Sequence, residues 1–195
     1  SEGKKDFVWG TSWGVSTRLI GALIMAHSDN QGLVLPPNLA PIQVILIPIF
    51  NSEEEYEKIL NKLEKISISL KKQNLSCEID KRKKHKPGWK FSEYEMKGVP
   101  IRIVIGPKDL ENNSAEIARR DNLTKETIDF EKIKDHIPKL LEEIQKNLFD
   151  KALNFRESNT IEVTNYDEFK EIFKNKGGFV YAHWDGTSET EDLIK

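Results

Sequence analysis

The run QVILIPIF (43–50), followed closely by a long amphipathic segment, most constrains the fold of this 195-residue chain. A short, nearly all-apolar run is typical of a strand buried on both faces of a sheet. The next segment, Glu53–Gln73, has a single apolar stripe at helical spacing. Ser52 and Glu55 have the spacing of a capping box at its start. The stripe consists of Tyr56, Ile59, Leu60, Leu63, Ile66 and Leu70. The pattern predicts a β-α-β unit.

The same alternation continues downstream. We predict strands at 76–80 and 99–106, the second alternating around Arg102, a weaker strand at 114–120, and a long helix over 130–155. A small last unit begins near Thr160, with a helix at 166–176, a strand at 179–184 and a short helix capped at Ser188. Strands that alternate with helices favour an α/β sheet layered by helices.

The first 40 residues have a different pattern. We predict a strand over 7–13 and a helix from Ser16 to His27 that is buried on most sides, and we place a domain boundary near Ala40. Arg18 is the only charge between Asp6 and Asp29. An arginine fork suits a phosphate or carboxylate, but a surface arginine whose stem covers apolar groups is an equally good interpretation.

Charge is unevenly distributed. Residues 81–108 contain nine Lys or Arg against two Glu, a net +7 in a chain of net charge −2. A local basic segment with aromatic residues suggests a polyanion-binding surface, and a solvated lysine loop is the alternative. Trp89 and Phe91 are candidates for stacking on unpaired bases. Carboxylates and cations in this segment have the chemistry to read guanine edges; a solvated β-turn with core aromatics is the alternative.

Other chemistry has little support. His27, His85, His136 and His183 lack metal-ligand spacing, and the turn at 106–109 lacks a nucleotide-binding glycine pattern. The single cysteine, Cys77, fits an inert core thiol in a reducing compartment. No apolar run is long enough to span a bilayer. We therefore expect a cytoplasmic protein without a membrane anchor.

Three blocks in order resemble the prolyl-tRNA synthetases, class II enzymes, of the archaeal/eukaryote-like type. TSWGVSTRLIGALIM with GLVLPP resembles motif 3 of that family. GWKFSEYEMKGVPIRIVIGPKDL with ARRD resembles its anticodon-binding domain, and ALNFRESNT with FVYAHWDGTSETE resembles the start of its C-terminal domain. The resemblance runs from about Phe7 to the end of the chain. It implies three parts: 1–40 from the catalytic domain, 41–158 as the anticodon-binding domain with a mixed, mainly parallel sheet, and 159–195 from the C-terminal domain.

The resemblance also implies roles for individual residues. Ser16 and Arg18 match ATP contacts, with Arg18 on a phosphate, and Ser12, Trp13 and Gly14 match the floor of the prolyl-adenylate site. The matched readers of the guanine-rich anticodon are Phe91, Glu95, Arg102, Lys108, Asp109 and, in a looser alignment, Lys125. The implied reaction joins proline to tRNA(Pro) with ATP and Mg²⁺ in a homodimeric enzyme.

Two departures from the family limit these expectations. Zinc-bearing relatives have C-G-x-x-x-C where this chain has Asp185, Gly186 and Thr190, so we predict no zinc. Motifs 1 and 2 do not occur, so we expect a C-terminal fragment that binds the anticodon and is inactive alone. A non-catalytic RNA-binding protein that reuses this domain is the main alternative. A plain α/β protein with a lysine loop is another, and it predicts no preference among RNA loops.

Overall fold

The computed structural model describes residues 3, 8–175 and 177–194. These residues form seven helices and seven strands. In chain order they are α1 (Arg18–His27), β1 (Val44–Pro48), α2 (Glu53–Lys71), β2 (Cys77–Ile79), α3 (Pro87–Met96), β3 (Ile101–Ile105), α4 (Pro107–Glu111), β4 (Ser114–Arg119), β5 (Lys125–Asp129), α5 (Phe130–Ser158), β6 (Thr160–Glu162), α6 (Tyr166–Asn175), β7 (Phe179–Tyr181) and α7 (Ser188–Ile194). None of these helices is long and apolar enough to cross a membrane.

The central sheet has five strands in the order β2-β1-β3-β4-β5. The pairs β1–β2 and β1–β3 are parallel, whereas β3–β4 and β4–β5 are antiparallel. Four strands therefore run in one direction and β4 runs against them. The prediction of an α/β fold with a mixed, mainly parallel sheet is confirmed.

The two faces of the sheet are covered to different extents. Helices α2 and α5 pack on one face and bury the larger core, which includes Leu46, Ile103 and Ile117. Helix α3 packs on the other face against Ile45 and Ile47. Helix α3 has only ten residues and lies over β1. On this side of the sheet, strands β4 and β5 are therefore partly open. We call this region the open face; Glu116, Ala118, Lys125 and Thr127 lie on it.

Caps and turns set the ends of several elements. The Ser52 hydroxyl accepts the Glu55 N–H at 3.2 Å and begins α2, as the capping spacing predicts. At α7 the cap is Thr187 rather than Ser188, since its hydroxyl accepts the Thr190 N–H at 3.2 Å. The last unit is a parallel pair, β6–β7, accompanied by α6 and α7.

The structure corrects the predictions for the first unit. Residues 8–13 form no strand, and residue 7 lies outside the described residues. Helix α1 begins at Arg18 rather than Ser16 and has no buried residue, because its contact with α5 leaves most of its surface exposed. Its burial on most sides was therefore a wrong expectation.

Other predictions differ in detail. The strand around Arg102 is buried at all five positions, since helices cover both of its faces. The helix predicted over 166–176 ends at Asn175, and residue 176 lies outside the described residues. The long helix extends to Ser158. The predictions missed α3, α4, β5 and β6.

Candidate nucleic-acid interface

Arg102, Phe91 and Glu95 form one cluster between α3 and the sheet. Phe91 and Glu95 are one helical turn apart and share a flank of α3. The guanidinium carbon of Arg102 lies 4.1 Å from the centroid of the Phe91 ring. Nη1 of Arg102 donates to Oε1 of Glu95 at 2.6 Å. Three of the predicted reader residues are therefore in direct contact.

The burial of Arg102 is unusual for a charged side chain. Its exposed fraction is 6%, and its Nε atom is buried without a hydrogen-bond partner in the described part of the chain. A buried donor without a partner costs about 1–3 kcal/mol. A small cavity lies beside it, lined by Tyr94, Glu95 and Ala118 among others. The cluster thus has unused hydrogen-bonding capacity next to the open face.

Lys125 lies on the same face of the sheet as Arg102. Arg102 pairs with Ala118 on β4, and Ala118 pairs with Lys125 on β5. Two strand spacings place the Cα atoms of Arg102 and Lys125 about 10 Å apart. The exposed Lys125 ammonium is 3.3 Å from Oε1 of Glu116. The structure therefore brings four predicted readers to one surface: Phe91, Glu95, Arg102 and Lys125.

Lys108 and Asp109 lie elsewhere. They follow the carboxyl end of β3, whereas Arg102 is near its beginning, and an extended strand carries the chain about 13 Å between residues 102 and 106. Oδ2 of Asp109 accepts the Gly106 N–H at 2.8 Å, so this carboxylate caps its own short helix. Lys108 is exposed. These two residues form a second group at the strand end.

A buried ionic network holds the other flank of α3. The Asp80 carboxylate accepts from Nε and Nη2 of Arg82 at 3.0 and 2.7 Å. Its Oδ1 is 3.4 Å from Nζ of Lys90, whose side chain is 2% exposed. Arg82 also contacts Glu93 at 2.6 Å. Sequence reasoning missed Asp80, because a single carboxylate after a strand has no pattern that indicates its partners.

The network shifts the ionisation of its members. Burial raises the pKa of Asp80, but hydrogen bonds from Arg82 and the charges of Lys90 and Arg82 outweigh burial and lower this pKa to about 2. Desolvation lowers the pKa of Lys90 despite the attraction of Asp80. Asp80 therefore remains ionised at neutral pH. It connects Arg82, which precedes α3, to Lys90 on α3.

Ion pairs neutralise most of the basic segment. Of its nine cations, six pair with carboxylates: Lys81, Arg82, Lys83, Lys90, Lys97 and Arg102. Several of the partners, including Glu53, Glu64 and Asp80, lie outside the segment. Within the described residues, Lys84, Lys86 and Lys108 have no ion pair. These three outside carboxylates lower the local net charge from +7 in the sequence to +4 in the folded chain.

The aromatic candidates also have partners. The His85 and Trp89 rings stack with their centroids 3.9 Å apart, and Arg82 lies 5.1 Å from the Trp89 centroid. Arg102 occupies one face of Phe91. A base that stacks on these rings therefore has to use the remaining face or displace a neighbour.

The residues matched to the ATP site are not assembled into a pocket. Ser12, Trp13, Gly14 and Ser16 lie in an exposed segment without regular structure, and Trp13 is 93% exposed. Arg18 begins α1 and is exposed. Nothing in the described chain surrounds a ligand there.

The positions that hold cysteines in zinc-bearing relatives make a hydrogen-bonded turn. The Asp185 carboxylate accepts from the Thr187 N–H at 2.9 Å and from the Thr190 hydroxyl at 2.7 Å. These hydrogen bonds, the one from Thr190 first, lower the pKa of Asp185. Across the residues with described positions, no group of three or more His, Cys, Asp or Glu side chains is arranged to hold a metal ion.

The part of the chain that forms the five-stranded sheet matches a known domain family. The anticodon binding domain family matches residues 43–140. This chain belongs to the anticodon binding domain family.

Among similar curated proteins is the proline–tRNA ligase of Flavobacterium johnsoniae, 58% identical over 195 residues, which are 100% of this chain and 40% of that protein. The proline–tRNA ligase of Flavobacterium psychrophilum is likewise 58% identical over 195 residues, with the same two shares. That of Porphyromonas gingivalis W83 is 57% identical over 194 residues, 100% of this chain and 39% of the relative. The chain thus spans about two fifths of the relatives' length.

Proposed function

We propose that this chain is the anticodon-reading part of a proline–tRNA ligase of the archaeal/eukaryote-like type. The observation that carries the proposal is the 58% identity to a proline–tRNA ligase over the whole chain. The family match over 43–140 and the Arg102–Glu95–Phe91 cluster support it. The ligase joins proline to tRNA(Pro) with ATP and Mg²⁺ through a prolyl-adenylate, in the cytoplasm and as a homodimer.

The cluster has the chemistry to recognise guanine. A carboxylate such as Glu95 accepts from the two N–H groups on the Watson–Crick edge, and a guanidinium such as Arg102 donates to O6 and N7. In the free chain, Glu95 and Arg102 satisfy each other at 2.6 Å. A guanine that enters here would replace this contact with matched donors and acceptors and would engage the unpaired Nε. Phe91 would support the base by stacking.

The remaining predicted readers would act around this cluster. Lys125, on the same face, and Lys108, at the strand end, are exposed cations suited to phosphate oxygens. Asp109 has one carboxylate oxygen, Oδ1, that is not used in capping Gly106. We assign residues 1–40 to the catalytic domain, 41–158 to anticodon binding and 159–195 to the C-terminal domain.

The chain alone is expected to lack catalysis. Arg18 and Ser16 would contact ATP in the ligase, with Ser12, Trp13 and Gly14 beneath the adenylate, but here they lie on an exposed segment. An ATP–pyrophosphate exchange assay on this chain should give no signal above background. We further propose that the C-terminal unit binds no zinc, because Asp185 and Thr190 are committed to each other. Stoichiometric zinc in elemental analysis would contradict this.

Binding to stem-loop RNA tests the central proposal. The probe is a stem-loop with a proline anticodon, and the reference is the same loop with its guanines replaced by adenines. The chain should prefer the guanine loop, and Glu95→Gln should weaken that complex about tenfold, because one lost base contact costs about 1–3 kcal/mol. Glu157→Gln, which changes an exposed side chain of α5, is the charge-matched control. It should bind the loop as tightly as the unmodified chain does. Equal affinity of the unmodified chain for both loops would overturn the proposal.

A further inference from the structure

Arg120, just after β4, is almost fully buried and connects three segments of the chain. Its exposed fraction is 3%. Nη1 and Nη2 donate to the two carboxylate oxygens of Asp29 at 2.7 and 2.6 Å. Nε donates to the backbone oxygen of Glu95 at 2.9 Å, and Nη2 also reaches the backbone oxygen of Gly32 at 3.3 Å. Its own N–H donates to Pro100 at 2.9 Å. All three side-chain nitrogens therefore have partners.

These contacts hold Glu95 from two sides. Arg102 binds its carboxylate at 2.6 Å, and Arg120 binds its backbone carbonyl at 2.9 Å. Glu95 lies in the last turn of α3, where a cation is favourable. Its carbonyl oxygen accepts the Gly98 N–H at 3.0 Å as well as Nε of Arg120. The position and direction of this side chain thus depend on Arg120 as well as on Arg102.

Arg120 also anchors the segment that precedes the sheet. Hydrogen bonds from Leu33 to Met96 at 3.0 Å and from Leu35 to Gly98 at 3.2 Å attach this segment to the end of α3. Asp29 and Gly32 close a tight turn that presents its carboxylate and carbonyl to Arg120. The hydrogen bonds from Arg120 are the main reason that the pKa of Asp29 is lowered to about 2, so the pair is ionised at neutral pH.

We propose that Arg120 is a positioning residue for anticodon reading, which fixes the Glu95 backbone so that its carboxylate faces the guanine site beside Arg102. The inference rests on the function proposed above and adds a residue that touches no base. Recognition groups must be held within about 0.5 Å of their working geometry by the residues behind them. A planar fork that binds a carboxylate and two carbonyls at once provides this support.

The test compares two variants of the full chain that change different contacts of Arg120. Arg120→Lys keeps the charge but cannot bind Asp29, Gly32 and Glu95 together. A change in its RNA binding therefore cannot arise from net charge. Asp29→Asn weakens the ion pair but leaves the contact between Arg120 and Glu95. Each variant is titrated with the proline anticodon loop and with the adenine-substituted loop, and its unfolding is followed by circular dichroism.

The measured quantity is the dissociation constant for the adenine-substituted loop divided by that for the proline anticodon loop. A larger ratio therefore means a stronger preference for guanine. Arg120→Lys should lower this ratio about tenfold, because Glu95 no longer presents its carboxylate correctly. Affinity for the adenine loop should stay nearly unchanged. Asp29→Asn should lose stability yet keep the ratio within about twofold. A purely structural Arg120 would change unfolding without changing the ratio.

Three outcomes would count against a proposal. If Arg120→Lys folds and keeps the ratio of the unmodified chain, this inference alone is overturned. The same holds if Asp29→Asn lowers the ratio as much as Arg120→Lys does. If Arg120→Lys does not fold, Arg120→Gln takes its place with the same expected loss. Absence of any preference in the unmodified chain overturns both this inference and the proposed function.

Discussion

The guanidinium of Arg102 lies over the ring of Phe91, with its central carbon 4.1 Å from the ring centroid. Such a cation–π contact is worth about 2 kcal/mol when desolvated, and Arg102 is desolvated here. The contact holds the arginine beside the open face of the sheet. In the proposed anticodon site, the ring would therefore serve both as a stacking surface and as a support for Arg102.

Replacing the ring tests both contributions. Phe91→Ala should weaken binding to the proline anticodon loop by about 1–3 kcal/mol, the usual cost of a lost base–aromatic stack. The matched control is Phe149→Ala, a 62% exposed phenylalanine on α5, which covers the opposite face of the sheet. Equal losses in the two variants, measured by fluorescence anisotropy, would show that the open face is not the RNA site.

Asp109 has a capping role that can be separated from base reading. Asp109→Ala should destabilise the chain by about 1 kcal/mol, because the Gly106 N–H loses its acceptor. Asp109→Asn keeps an acceptor oxygen and should unfold at nearly the unmodified denaturant concentration. It should nevertheless bind the guanine loop about tenfold more weakly, since the amide oxygen caps Gly106 and the NH₂ group in place of Oδ1 cannot accept a guanine donor. Unchanged RNA affinity in Asp109→Asn would leave Asp109 with the capping role alone.

Asp80 predicts a specific loss of stability in acid. Its pKa in the folded chain, about 2, is below the ordinary 3.8. Its stabilising contribution is therefore complete above about pH 4 and is lost as the pH falls towards 2. Urea unfolding between pH 6 and pH 2 should show this decline, and Asp80→Asn should make the decline shallower.

At neutral pH the same variant should be destabilised by about 3 kcal/mol, because buried Lys90 loses its counterion. Asp150→Asn, which breaks an exposed pair with Lys146, should cost less than about 1 kcal/mol. Similar losses in both variants would mean that the Asp80 network is no stronger than a surface pair.

Gly98 allows the close approach between the end of α3 and the preceding segment. Its φ is +73°, and a Cβ atom there would lie 2.7 Å from Cβ of Leu33. Gly98→Ala should therefore destabilise the chain by about 1–3 kcal/mol. Gly88→Ala, in the first turn of α3 with no atom within 4 Å of the new Cβ, should be neutral or stabilising by about 0.5 kcal/mol. Thermal unfolding of the two variants measures this difference in stability. If Gly88→Ala were less stable than Gly98→Ala, the close packing at Gly98 would be contradicted.

The elements predicted correctly are those with a clear apolar period. The run at β1 and the stripes of α2 and α5 are long enough for hydrophobic spacing alone to indicate their type. Helix α3 was missed because Lys90 occupies an inward position, which interrupts its apolar stripe. In the structure Lys90 can be buried there only because Asp80, ten residues earlier, neutralises it. Such a pairing depends on the fold and has no local signal.

The candidate site was predictable in composition but not in arrangement. The resemblance named Phe91, Glu95 and Arg102, and the structure brings these three into contact. The separation of Asp109 from Arg102 follows from the length and direction of β3, which a set of residue types does not specify. Arg120 lies within the ARRD run, but the sequence indicates no role for it, since its partners Asp29 and Glu95 are distant in sequence.

The ion pairs within the basic segment limit how many counterions an RNA can displace. Each single-strand phosphate that is neutralised contributes a slope of about −0.7 to the logarithm of affinity against the logarithm of salt concentration. With Lys84, Lys86 and Lys108 outside the observed ion pairs of this segment, the slope should be about −2, against about −6 if all nine cations met phosphates. Binding by this domain should therefore withstand high ionic strength, and contacts with the bases, rather than the charge of the backbone, should provide most of its selectivity.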